Sequence, residues 1–206
     1  MSISPSLLSL PELISAAHDL GRRGLFPATG GNLSLRTGPG DCLVTVSGRD
    51  KGRLTEDDFM AIGLSGVPLD NTQKPSAETE VHLALYRADP EVGAVIHTHS
   101  VAATVLSRLV GEDVIVFTGY EMQKSIRGMR SHEQSLNLPV FDNTQDMPHL
   151  ARQLERRWAE LQGRCGFLVR GHGLYAWGRD VAEARRHVEG WEFLLACDLQ
   201  HRQLAR

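Results

Sequence analysis

The sequence predicts an α/β domain built on a mixed sheet, and three observations carry that expectation. A chain of 206 residues is the size of one domain, and 41% of it is hydrophobic, enough to fill a core. Helical and strand-like patterns interleave along it. Several strand patterns also follow one another directly, whereas a purely parallel sheet needs a crossover between each pair. No repeat, linker or low-complexity tract interrupts residues 1–206, so a single domain is expected.

The elements follow from local signals. Ser9 and Glu12 have the spacing of a capping box, and Leu10, Leu13, Ile14 and Ala17 form the apolar stripe of a first helix. Gly21 and Gly24 offer its end. From Thr29 to Ser47 the chain reads as strand, turn and strand, broken at Gly38-Pro39-Gly40. A second helix is expected from Ser76 to Arg87, stopped by Asp89-Pro90. Val92 to Ile96 reads as a strand, Val101 to Leu109 as a helix and Val114 to Phe117 as a strand. Lys124 to Asn137 is rich in polar residues and reads as a long loop, a segment type that often carries function. Met147 to Leu161 is amphipathic, with Leu150, Leu154, Trp158 and Leu161 on one side. Two strands, Phe167 to Val169 and Leu174 to Trp177, flank Gly171-His172-Gly173. A last helix opens at Asp180 and Glu183 and buries Val188, Trp191, Leu195 and Leu199.

Composition narrows the function classes. Lys plus Arg is 22 against 25 for Asp plus Glu, so the basic excess of a nucleic-acid binder is missing and no such partner is expected. No apolar run approaches the roughly 18–20 residues of a membrane span. Met1-Ser2-Ile3-Ser4-Pro5 lacks the charged start of a secretory leader. Cys42, Cys165 and Cys197 are odd in number and widely spaced, which suggests free thiols in a reducing cytoplasm.

His97-Thr98-His99 is the sharpest local signal. Side chains two apart on an extended chain project to the same side, so both imidazoles can face one metal ion. His172, between two glycines after an apolar strand, is the leading third ligand. A lone His-x-His pair is as often accidental as ligating. His18, His82, His132, His149, His187 and His201 read as surface or core histidines. Three neutral imidazoles would leave a Zn²⁺ its full charge and an open position, the setting of a Lewis acid and not of a structural staple.

Three turns have the make-up of anion cradles: Thr29-Gly30-Gly31-Asn32-Leu33-Ser34, Ser47-Gly48-Arg49-Asp50-Lys51-Gly52, and Lys74-Pro75-Ser76 at an expected helix start. Each alone is also an ordinary turn. Glu78 reads equally as a residue stabilising a helix dipole, and Glu121 as a solvated turn residue.

In order along the chain, Gly30-Gly31-Asn32, Ser47-Gly48, Pro75-Ser76-Ala77-Glu78, His97-Thr98-His99 and His172 resemble the motifs of the class II aldolase family. The likeness covers nearly the whole chain. It implies a three-layer α/β/α sandwich with a mainly antiparallel sheet, and a cyclic homotetramer with active sites near subunit interfaces. It implies Zn²⁺ on His97, His99 and His172, and a sugar-phosphate substrate held at Asn32, Ser47, Gly48 and Ser76. The family's aldolases carry two serines before the glutamate; Ser76-Ala77 here lacks one phosphate hydroxyl. Glu78 matches their catalytic, metal-proximal glutamate. Gly119-Tyr120-Glu121-Met122-Gln123-Lys124, Asp142-Asn143-Thr144 and the stretch from Val169 to Gly178 are most similar to the family's dehydratases, which implies a lyase with Glu121 as general acid/base. The alternatives are a sugar-phosphate aldolase, a pentulose-phosphate 4-epimerase, or a metal-free scaffold domain like the adducin head. The three intact histidines speak against the last.

Overall fold

The computed structural model describes residues 9–69 and 73–205, so the Met1–Pro5 segment lies outside it. Helix α1 (Leu10–Arg22) leads into strands β1 (Asn32–Arg36), β2 (Asp41–Thr45) and β3 (Phe59–Gly63). Helix α2 (Thr79–Ala88), β4 (Ala94–Thr98), α3 (Val101–Leu109) and β5 (Val114–Phe117) follow. The chain continues through β6 (Leu136–Phe141), α4 (Met147–Arg156), α5 (Trp158–Leu161), β7 (Gly166–Val169) and β8 (Gly173–Gly178), and closes with α6 (Val181–Leu204).

The eight strands form one sheet in the order β3-β2-β1-β4-β8-β7-β6-β5. Only β6 and β7 run parallel; the other pairings are antiparallel, the mixed and mainly antiparallel sheet expected. Strand alternation sorts the side chains into two layers. Ser34 on β1 bonds His82 and Tyr86 of α2, so that face is covered by α2 with α4 packed beside it. Thr98, at the end of β4, points the other way and donates to Glu192 of α6, which lies over β8 and β4 with α1 and α3 against it. The result is the α/β/α sandwich. Among the described residues no helix is long and apolar enough to cross a membrane.

Several local expectations are corrected. Ser9 has helical backbone angles (φ −91°, ψ −7°) and makes no side-chain cap bond, because a capping hydroxyl reaches the helix only from an extended residue. At α6 Asp180 is extended and does accept from Glu183 N at 2.7 Å. Helix α2 starts at Thr79, three residues later than expected. Residues 74–76 are tied to the end of β2 instead, with Ser47 N on Lys74 O (3.0 Å) and Ser76 N on Thr45 O (3.2 Å). The Ser76 N–H is therefore spent on a strand-like bridge and does not open a helix. Overlapping the start of the expected loop, Glu121–Ser125 forms a 3₁₀ turn, and buried Gln123 pins the segment by accepting from Tyr120 N and donating to Gln134 O. Strand β6 overlaps the loop's end. Pro139 is tolerated within β6 because β6 pairs with β7 only at Val140 and Phe141, so that ladder needs no N–H from it. Strand β3 carries no alternation and was not expected. The long amphipathic helix divides at Arg157, whose guanidinium lies 4.5 Å over the Phe141 ring.

Gly173 sets how closely β8 approaches β4. A Cβ there would sit 1.9 Å from Thr98 O and 3.1 Å from His97 Cε1. Gly173→Ala must push the two central strands apart, at a cost of about 2–3 kcal/mol. A urea midpoint unchanged from the parent would contradict this.

Candidate active site

The pairing of β1 with β4 sets Asn32 opposite His97, and the pairing of β4 with β8 sets Tyr175 on its other side. His97 is fully buried, and the Tyr175 ring stacks on it at 3.8 Å. Its Nδ1–H donates to Leu174 O at 2.9 Å, which leaves Nε2 with a free lone pair. His99 follows just past the strand, its backbone N–H on Leu25 O at 2.9 Å. Its ring fits because Gly30 has no side chain; a Cβ there would lie 3.1 Å from the ring nitrogen Nδ1. His172 occupies the tight β7–β8 turn, where Gly171 has φ +65°, and Thr104 holds its carbonyl at 3.0 Å.

These three rings converge. His97 Nε2 is 2.8 Å from His99 Nε2 and 3.3 Å from His172 Nε2. Glu78 completes the group, with Oε1 2.8 Å from His172 Nε2 and Oε2 3.6 Å from His97 Nε2. One ligand atom from each of the four lies within 4.8 Å of the others. Glu78 stands at the N-terminal boundary of α2 but makes no cap bond; its carboxylate is turned to the histidines. Burial pushes its pKa up, yet the hydrogen bond from His172 and the nearby histidine charges prevail and bring it down to about 2. Burial also holds His97 well below its ordinary range, and burial with the His172 charge brings His99 down to about 4. At neutral pH His97 and His99 thus offer imidazole nitrogens as lone-pair donors beside the Glu78 carboxylate. That donor set fits a divalent transition-metal ion, with charge left for Lewis-acid work.

A second layer orients these ligands. Asn32 Nδ2 donates to Glu78 Oε2 and to Ser76 Oγ (3.0 Å), while its Oδ1 accepts from His82 Nε2. His82 Nδ1 meets Ser34 Oγ at 2.6 Å, and Ser34 Oγ meets Tyr86 OH at 2.8 Å. Behind Thr98, between the two histidines, Glu192 accepts the threonine hydroxyl at 2.5 Å. His82 and Tyr86 stand four apart on a buried helix face, which is a polar pair legible in the sequence. Its counterpart on β1 was not.

Beside the histidines opens a cavity of about 300 Å³, lined among others by Ser47, Gly48, Lys51, Ser76, Glu78 and His99. Ser47, Gly48 and Ser76 come together there, as residues far apart in the chain. Asn32 does not line it. It lies beneath, its side chain committed to Ser76, Glu78 and His82. Glu121 is on the 3₁₀ turn, 70% exposed, paired with Lys124 and with His132 Nδ1 at 3.4 Å. Its contacts are with those groups and not with His97, His99 or His172. The hydrogen bond from Lys124 holds its pKa below the usual range.

Fold and site define a class II aldolase-type domain. The model of the Class II Aldolase and Adducin N-terminal domain matches residues 11–199, and the chain belongs to that family. It is 53% identical over 197 residues to the methylthioribulose-1-phosphate dehydratase of Yersinia enterocolitica, covering 96% of this chain and 94% of that one. The enzyme of the same name from Serratia proteamaculans is 53% identical over 195 residues, covering 95% of this chain and 96% of that one. Among solved structures, L-fuculose-1-phosphate aldolase from Thermus thermophilus superposes with a TM-score of 0.78 at 26% identity, covering 97% of this chain and 98% of that one.

Proposed function

We propose that this protein removes water from 5-methylthioribulose 1-phosphate to give 5-methylthio-2,3-dioxopentyl phosphate, a step of methionine salvage. The observation that carries the reading is the convergence of His97, His99, His172 and Glu78 beside a cavity edged by Ser47, Gly48 and Ser76. The names of the relatives at 53% identity favour dehydration over aldol cleavage or epimerisation.

His97, His99 and His172, with Glu78 beside them, would hold a Zn²⁺, which when bound polarises the substrate's ketone. The phosphate end enters the cavity, where the Ser47 and Ser76 hydroxyls and the Gly48 turn receive it. Asn32 acts from below by fixing Ser76 and Glu78. A proton leaves C3, next to the ketone, and the C4 hydroxyl departs as water once protonated. Glu121 carries that proton. Lys124 keeps its carboxylate ionised, the form that accepts from C3, and it then donates to the C4 oxygen. The enol left behind tautomerises to the diketone.

Glu121 points to solvent on its own chain, so it serves the site of a neighbouring copy in a cyclic homotetramer. Exposed Val101, Val105 and Leu109 on one side of α3, with exposed Met122 next to Glu121, support such contacts. The three free thiols support a cytoplasmic location for this one-domain chain. Incubation of the metal-loaded protein with 5-methylthioribulose 1-phosphate is expected to yield diketone absorbance and no aldehyde. Aldehyde release, or return of an epimeric pentulose phosphate, would overturn the reading.

A further inference from the structure

Lys51 is 2% exposed and lines the cavity that holds Ser47, Gly48, Ser76 and His99. Lysine is rarely buried this fully without an anion to answer it. Its ammonium donates to Thr29 O and to Arg49 O (2.6 Å). Two carbonyls account for two of its three protons. Glu78, the carboxylate among the cavity's described lining residues, is bonded to His172 and Asn32. Thr29 and Arg49 belong to the two glycine-bearing turns that wall the cavity, so the ammonium stands where those walls meet. Among the described residues no anion is bonded to this buried charge, although Glu78 and Asp50 act on it through space, and with a proton to spare it lines the cavity where the phosphate is proposed to enter.

We infer that Lys51 is a substrate-binding residue whose ammonium is the counter-ion of the ligand's phosphate group. The inference rests on the proposed ketose-phosphate reaction for the ligand's identity, while its charge logic applies to any phosphate monoester.

The test uses the full-length, metal-loaded protein with K51M and K51Q, titrated with inorganic phosphate and assayed with 5-methylthioribulose 1-phosphate. Both variants are expected to weaken phosphate binding and raise KM by about 10- to 100-fold, as loss of a charged hydrogen bond does. Metal content stays at the parent's level and kcat changes less than KM. K51Q keeps an N–H donor for the carbonyls, so it retains the parent's melting temperature while still losing the anion. Variants that melt lower yet bind phosphate as tightly as the parent would make Lys51 a structural tie and overturn the inference. So would a parent protein that binds no phosphate. Lysine-dependent phosphate binding without dehydration of the ketose phosphate would refute the proposed reaction and leave this inference standing. Dehydration with an unchanged KM in K51Q would do the reverse.

Discussion

Glu121→Gln lowers turnover of the ketose phosphate by about 10²–10⁴-fold, the range expected when a general acid/base is removed. The substitution keeps the size and hydrogen-bonding shape of the side chain but ends its ability to carry a proton. Glu121 is an exposed residue on a 3₁₀ turn, bonded to Lys124 and His132, which are themselves exposed. Folding, bound metal and phosphate affinity are therefore expected to match the parent. The loss falls on kcat, because the proton moves only as bonds change. Near-parental turnover, measured as diketone formed per metal-loaded subunit, would remove Glu121 from the reaction. Mixing this variant with a partner lacking His97 checks the subunit arrangement. If Glu121 serves a neighbouring site, such mixed assemblies regain activity that neither variant has alone.

His97→Ala abolishes metal binding and takes activity to background. Of the three imidazoles, His97 has its Nε2 within 3.3 Å of the Nε2 of both others and is fully buried. Its removal also empties the space against Tyr175 and leaves Leu174 O without its donor, a cost to stability of about 2–3 kcal/mol. His172→Ala is the control, since that side chain is 17% exposed on a turn. It is expected to lose the metal with a smaller fall in melting temperature. Metal analysis of the purified variants decides the matter; a fully metallated, active His97→Ala protein would refute the ligand set.

Particular residues show how far the sequence could be read. The His97-Thr98-His99 pair was visible because strand alternation is a local property, and Gly171-His172-Gly173 because a tight turn needs residues without side chains. The helices α3 and α6 were legible from their apolar spacing, and Asp180 from its cap position. Strand β6 went unread because its start overlaps the polar stretch ending at Asn137, and its Pro139 is tolerated because the ladder with β7 starts one residue later. The late start of α2 was hidden as well, since residues 74–76 are drawn into a bridge with β2 that no local signal announces. Glu78 could not be separated from an ordinary first-turn acid until that shifted start turned its carboxylate toward the histidines. Asn32 matched a phosphate-binding position by resemblance, yet its side chain is spent inside the protein. Lys51 was only a cation near a glycine turn.

By itself, then, the chain's order of residues determined the α/β class, most element positions and the three imidazoles, because these depend on patterns spanning a few residues. The tertiary structure decided which of them meet: the β1–β4 register that sets Asn32 beside His97, the turn of Glu78 toward the cluster, and the burial of Lys51 in the cavity wall. Charge, burial and ligand convergence are properties of distances between segments dozens of residues apart, and only packing sets those distances.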